Sequence, residues 1–495
     1  MAHSGFSVSR RLAAVLATSI FVIPVAAMAD GAVAANGVTY ASKGLVAIGR
    51  IPATQRDKFG ETFGSGSGMA LDPTSWKKDG EAYRGSLWLL PDRGYNVEGT
   101  TDYNARINKI DVMLTPAAPG TVPADKQQTA LDAKLADTLL LTDDEGKNMT
   151  GLDPESGTRP AIGKFPVLPL ASTGKVSLDA EAVVRLSDGS LLISDEYGPN
   201  IYHFSAAGKL ISATQPPKAL LPMRKGEINF SSNNVGEGGK KPDPKDPETG
   251  RQNNQGLEGM SLTPDGKYLI AVLQSATRQD GGDSSSTRNN TRALVYDAAD
   301  VDNLKLVHEY VVPLPMFESK DKKVVAAQSE ILALSETAFL MLARDSNNGQ
   351  GMKGDTSIYR KISLVDLSTA TDIAGGEFDA LKPVAPKGVL DPSVKPASLH
   401  DFIDLNNNGE LARFGLHNGA PNDRNNLSEK WEAMSIASVL DASAPDDYFL
   451  FVANDNDFLT QDGFQVGAAY KAEGGADVDT MFQIFRVTLP GMMKK

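Results

Sequence analysis

The chain contains no cysteine. That single absence excludes disulfides, thiolate metal sites and cysteine nucleophiles, so an exported protein of this sequence must hold together by core burial and perhaps metal. Histidine is nearly as scarce, and beyond His3 only His203, His308, His400 and His417 remain. None makes the paired spacing of a histidine-rich zinc site, and His203, within the strand-like Ile201-Tyr202-His203-Phe204, is expected to pack there. Trp88 and Trp431 fall in or beside strand-like runs and read as core. The Gly-rich Gly64-Ser65-Gly66-Ser67-Gly68 is no nucleophile elbow, since Gly66 stands where serine is needed, and it lacks the Gly-Lys-Ser/Thr end of a phosphate-binding loop.

Positive charge is also in short supply. Lysine and arginine number 49 against 62 aspartates and glutamates, a formal charge of −13. The first 29 residues carry two of those cations, Arg10 and Arg11, ahead of an apolar stretch from Leu12 to Ala26 and an Ala27-Met28-Ala29 cleavage pattern. This reads as a secretory leader cleaved after Ala29. Ser9-Arg10-Arg11-Leu12 faintly resembles a twin-arginine signal, but the apolar pattern after it fits ordinary secretion better. Losing Arg10 and Arg11 takes the charge from −13 to −15. Such a balance argues against nucleic acid or an anionic membrane as partner, and an anionic substrate then calls for a bound cation. No second run of about 18 apolar residues follows, so the mature protein is expected to be soluble, periplasmic or secreted, and monomeric.

Helical periodicity is scarce, with short candidates only at residues 134–141 and 430–439. Strand-like runs dominate, at residues 85–90, 191–194, 268–273, 293–296, 304–313, 339–343 and 448–453. Ser187-Asp188-Gly189, Pro264-Asp265-Gly266 and Ala207-Gly208-Lys209 punctuate them as tight turns. Two polar stretches, residues 231–255 and 277–292, lack the apolar content to pack and read as loops, one of which could cover a site.

Five hairpins share one pattern. The clearest runs from Glu181 through a turn at Asp188 to Asp195-Glu196, and the others start at Gly68, Glu258, Glu330 and Glu432. An antiparallel hairpin returns its second strand to the edge where the first began, so counting from the turn pairs Glu181 with Asp195, Glu258 with Gln274, Glu330 with Arg344 and Glu432 with Asp455. Weak self-similarity of this kind is the mark of radial repetition, and the wide intervals at 68–181 and 330–432 leave room for six or seven blades in an all-β propeller. Residues 30–59 read as a lead-in and 60–490 as the propeller domain.

Converging carboxylates repel in a partly desolvated site, and a divalent cation relieves this. Glu181, Asp195, Glu258, Glu330, Glu432 and Asp455 are therefore candidate ligands, and an all-oxygen set favours Ca²⁺. Equally open is a structural role, each Glu bonding backbone N–H groups or an Arg of the next blade. Asp92, Arg93, Glu196, Arg344 and Asp345 at the hairpin ends are candidates for base and phosphate-clamping roles in metal-assisted ester hydrolysis. A separate run, Asp404-Leu405-Asn406-Asn407-Asn408-Gly409, fits the first half of an EF-hand loop with Asp404, Asn406 and Asn408 as ligands. Gly415 occupies the position of its bidentate Glu, and an Asn-rich turn is the competing reading.

The sequence resembles the phytase-like family, described by an esterase-like activity of phytase. The resemblance lies in residues 178–181 and 195–199, Gly256-Leu257-Glu258-Gly259-Met260, residues 291–297, Ser329-Glu330-Ile331-Leu332, Ala343-Arg344-Asp345 and Asn454-Asp455-Asn456-Asp457-Phe458. It covers roughly residues 60–485 and implies a propeller-like fold whose Glu and Asp residues carry phosphoester hydrolysis. Ala433 after Glu432, where the repeat has Gly, and Gly68 in place of Glu depart from the pattern. The expected function is an exported, metal-dependent hydrolase of a small phosphoester. A Ca²⁺-dependent lactonase or carboxylic esterase, or a non-enzymatic binding propeller, are the alternatives.

Overall fold

The computed structural model describes residues 1–3, 31–96, 99–236, 239–346 and 348–492. From residue 4 onward the expected leader, with its cleavage site, lies outside the described residues. No helix among the described residues is long and apolar enough to cross a membrane.

Five four-stranded antiparallel units hold most of the strand residues. Blade one is Gly68–Leu71, Ala82–Leu90, Arg106–Leu114 and Leu131–Leu140; blade two is Ala180–Arg185, Leu191–Asp195, Ile201–Phe204 and Leu210–Thr214. Blade three is Leu257–Leu262, Tyr268–Leu273, Asn290–Asp297 and Lys305–Pro313; blade four is Ala327–Ser335, Ala338–Arg344, Arg360–Asp366 and Ser398–Asp404. Blade five joins Trp431–Ser438, Asp447–Asn454 and Thr480–Thr488 to Val38–Ile51 from the other end of the chain. The first strands of the blades touch in the cyclic order one to five and back to one, so the ring is closed. The segment expected as a lead-in is thus part of the ring, because Val38–Ile51 supplies the outer strand that closes blade five.

Five apolar cores separate the five blades, and strand periodicity explains them. Successive side chains point to opposite faces, so Leu269, Ala271 and Leu273 enter the core shared with blade two while Ile270 and Val272 enter the core shared with blade four. Phe339 and Met341 face blade three, and Leu340 and Leu342 face blade five. Strands buried on both faces read as continuous apolar runs, which is why they are prominent in the sequence. The ring has five blades, not the expected six or seven: the wide intervals at 68–181 and 330–432 hold long outer strands and connections. Both expected helices are strands. Leu131–Leu140 is the largely solvent-facing outer strand of blade one, where Lys and Asp can recur at a helix-like spacing. Trp431–Ser438 is an inner strand, buried along most of its length despite its helix-forming Glu-Ala-Met. Trp431 is fully buried, whereas Trp88 is partly buried against the core between blades one and two.

Gly68 has a packing reason. A Cβ there would lie 2.3 Å from the backbone oxygen of Glu181 in the adjacent inner strand. Backbone cannot yield as a flexible side chain does, so the first blade contributes no glutamate at this position. Gly68→Ala is expected to lower unfolding free energy by about 1–3 kcal/mol in a denaturant titration. An unchanged midpoint and slope would contradict the close approach of blades one and two.

Candidate active site

Each of the four glutamates sits at a register shift. The ladder slips between Ala180 and Val183, Leu257 and Gly259, Gln328 and Glu330, and Trp431 and Ala433. The cross-strand partners are accordingly displaced from those that turn counting gives. Asp195 pairs with Ala180, Leu273 with Leu257, Arg344 with Ala327, and Asn454 with Trp431. A bulge bends its strand and re-aims a side chain. The corresponding hairpin of blade one, which starts at Gly68, keeps its register.

The glutamates then part company. Glu330 Oε1 accepts from Ile331 N at 2.8 Å and from Met260 N at 3.2 Å, which ties blade four to blade three. Glu432 forms an ion pair with Arg344 and lies 3.4 Å from Lys430 Nζ. Glu258 has Gln274 on its carboxylate and leaves Oε2 buried without a partner. Glu181 lies with Asp179 and Glu196, each able to offer an oxygen within 4.8 Å of the others, and all three are buried. Within this group no N–H or hydroxyl donor reaches Asp179 Oδ1 or Glu196 Oε1, and the two carboxyl groups lie close enough to each other to share a proton. Arg93 Nη1 donates to Asp179 Oδ2 at 2.8 Å and also to Asn254 Oδ1.

A second acidic group, Asp92, Asp455 and Asp457, meets the same geometric condition. Here a cation is already built in. Lys430 Nζ donates to Asp455 Oδ2 at 2.9 Å and Asp457 Oδ1 at 3.0 Å, and Asp92 Oδ2 is 3.9 Å away. Burial works against the Lys430 charge, but Asp455, Asp457, Glu432 and Asp92 outweigh it and hold the ammonium well above its ordinary pKa. The first group has only the Asp179–Arg93 pair. Burial, then Glu258, Asp179 and Glu196, push the Glu181 carboxyl well up, and burial with Asp179 pushes Glu196 up to about 8.

The remaining candidates are engaged elsewhere. Asp195 accepts from Asp179 N, Tyr197 N, Gly198 N and the Tyr202 hydroxyl at 2.8–3.1 Å, which fixes the turn carrying Glu196. Asp345 accepts from Ser357 Oγ, Ile358 N and Asn348 Nδ2 and staples its own loop. In the EF-hand-like run, Asp404 Oδ1 accepts from Asn406 N, Asn406 Nδ2 donates to Ser357 Oγ, and Asn408 Oδ1 accepts from Asn418 N. Asn407 caps the short helix Asn408–Arg413. Each of the three candidate ligands thus serves a different partner, although Asn406 Oδ1 is left buried without one. His203 bonds Asp302 and Ser190 and packs in its strand.

Beside the Lys430 group lies a cavity of about 340 Å³, whose wall includes the carboxylates of Asp457 and Glu429. Both polar loops reach it, one through Asn253, Asn254 and Gln255 and the other through Arg288, with Gln274, Gln328, Arg344 and Lys430 also in its wall. Sequence reasoning missed Asp179 and Lys430. Their signal was positional, since they stand two residues before Glu181 and Glu432.

A family model described as phytase-like, with an esterase-like activity of phytase, matches residues 61–458. An uncharacterized secreted protein of Arthroderma benhamiae is 39% identical over 455 residues, covering 86% of this chain and 88% of that one. Among solved structures, a luciferin-regenerating enzyme aligns over 90% of this chain and 96% of its own at 11% identity and a TM-score of 0.27. The PQQ-bound aldose sugar dehydrogenase of Streptomyces coelicolor aligns over 91% and 97% at 10% identity, also with a TM-score of 0.27. Likenesses this distant do not bear on the site.

The raised Glu196 pKa has a consequence for stability. A carboxyl that titrates at about 8 when folded, against 4.5 ordinarily, binds its proton more tightly in the folded state. Its stabilising contribution is complete below about pH 4.5 and is lost as pH rises through about 8. The thermal midpoint of EDTA-treated protein should therefore fall between about pH 6 and pH 9, with added Ca²⁺ raising it most at the upper end. A calcium effect equal at both pH values would contradict a cation held by these carboxylates.

Proposed function

The chain belongs to the phytase-like family, and on that premise we propose that it is an exported hydrolase of phosphoric esters acting at the mouth of the propeller. The observation that carries the reading is the trio of Asp179, Glu181 and Glu196, buried together with two carboxylate oxygens that no N–H or hydroxyl donor reaches. An all-oxygen donor set without histidine or cysteine fits a hard divalent cation, calcium best of all. In this reading the trio holds that cation, which when bound supplies polarisation of a phosphoryl oxygen.

This chain's own residues divide the remaining work. Glu258, with Oε2 unpartnered and its carboxylate steadied by Gln274, accepts the proton of the attacking water. As the water oxygen bonds to phosphorus, the bond to the ester oxygen breaks, and the departing alcohol takes a proton from solvent. Arg344 and Lys430, both in the cavity wall, are paired with Glu432 and with Asp455 and Asp457, and so keep these carboxylates from repelling the phosphate. Arg93 is a positioning residue, since its guanidinium holds Asp179 and Asn254. Asp195 and Glu330 likewise act through the backbone they fix.

Purified protein should turn over p-nitrophenyl phosphate or bis(p-nitrophenyl) phosphate in the presence of Ca²⁺ and lose that activity with EDTA. Glu258→Gln should lower kcat by roughly 10²- to 10⁴-fold with calcium affinity retained, and Glu181→Gln should lose calcium affinity as well. Wild-type protein that hydrolyses neither ester once calcium is restored would sink this reading.

A further inference from the structure

Burial lowers the pKa of four arginines that have no carboxylate partner: Arg224, Arg251, Arg288 and Arg360. Two of them, Arg224 and Arg251, are satisfied by backbone, and Arg360 keeps one backbone acceptor while its Nε and Nη1 are buried without partners. Arg224 donates to the carbonyls of Pro244, Asn229 and Lys245; Arg251 to those of Tyr197, Phe230 and Gln252; and Arg360 to that of Asn348. Their work is to pin loops. Arg288 differs: its side chain has neither a hydrogen-bond acceptor nor an ion-pair partner among the described residues, and its Nε is buried. It stands in the wall of the 340 Å³ cavity, surrounded by the amides of Asn254, Gln255, Gln274 and Gln328.

The backbone that carries Arg288 is fixed. Arg288 N donates to Ser284 O at 3.2 Å, and Arg288 O accepts from Ala276 N at 3.1 Å. Four residues on, Arg292 is held by Asp280 and Glu309, and both Arg292 and Asp280 are fully buried. The loop therefore presents a guanidinium that has lost part of its water and gained no protein acceptor. Such a group leaves its desolvation cost uncompensated until an anion arrives. The other two cations of the wall are already committed, Arg344 to Glu432 and Lys430 to Asp455 and Asp457.

We propose that Arg288 is the phosphate-binding residue of the mouth, its planar N–H fork taking two oxygens of a phosphoryl group seated in the cavity. The amides of Asn254 and Gln255 stand in the same wall, and its two carboxylates are offset by cations of the wall, Asp457 by Lys430 at 3.0 Å and Glu429 by Arg344 at 3.9 Å. The proposal deepens the hydrolase reading and rests on it for what happens to the ligand, but the binding step stands apart from turnover.

Isothermal titration with inorganic phosphate at low ionic strength reads that step directly. Arg288→Gln is expected to bind phosphate at least tenfold more weakly than wild type, with an unchanged thermal midpoint. Arg278→Gln, in the same loop and outside the cavity wall, should bind as wild type does. Equal phosphate affinity in wild type and Arg288→Gln, or no binding by wild type, overturns the assignment. Phosphate binding that depends on Arg288, in a protein that cleaves no phosphoester, upholds the assignment while overturning the hydrolase reading.

Discussion

Carboxylates that share a poorly solvated space repel one another, and closing this ring forces them to share one. Inner strands that begin at the same end of each blade carry Glu181, Glu258, Glu330 and Glu432 into the centre, where all four are buried. In such surroundings each uncompensated charge costs several kcal/mol, and a group escapes by protonation, by pairing or by binding a cation. The chain uses different escapes at different points of the ring. Glu330 takes backbone N–H donors, Glu432 takes Arg344, and Asp92, Asp455 and Asp457 gather around Lys430. Asp179, Glu181 and Glu196 have only Arg93 on one oxygen. The ring is thus chemically asymmetric although its backbone repeats.

That asymmetry separates scaffold from site. Asp195 and Asp345 have the composition of catalytic residues, yet their oxygens are occupied by turns and loop staples. Buried atoms without a partner occur throughout the described residues, but those of the acids at the mouth include Glu196, Asp179 and Glu258, and Arg288 adds another in the wall of the cavity. Most buried polar groups are satisfied within a fold, so charged exceptions gathered at one mouth mark the place where something else is meant to sit.

Much of this was legible in the sequence. The repeated hairpin, the strands buried on both faces and the turns at Gly189, Gly208 and Gly266 come from patterns of apolar and turn residues, and the structure has them where those patterns fall. The direct pairing of Glu181 with Asp195 was not legible, because a bulge adds one residue to a strand without any mark in its composition. Blade number was hidden for a similar reason: blade five is completed by Val38–Ile51, more than 370 residues away from Trp431, and no local pattern records that closure. The roles of Lys430 and Asp179 depended on which blade neighbours which. Both occupy the place two residues before an inner-strand glutamate, a register that holds Gln328 in blade four and Gly256 in blade three. In blade three even a Cβ would meet the Glu196 backbone at 2.4 Å.

The central claim is that one acidic group at the mouth holds a cation and the other, occupied by Lys430, does not. The most direct test is anomalous diffraction from crystals grown with Mn²⁺ as a stand-in for Ca²⁺. The account predicts a single strong peak at the mouth, at coordination distance from oxygens of Asp179, Glu181 and Glu196. A peak among Asp92, Asp455 and Asp457, or none at the mouth, would contradict it.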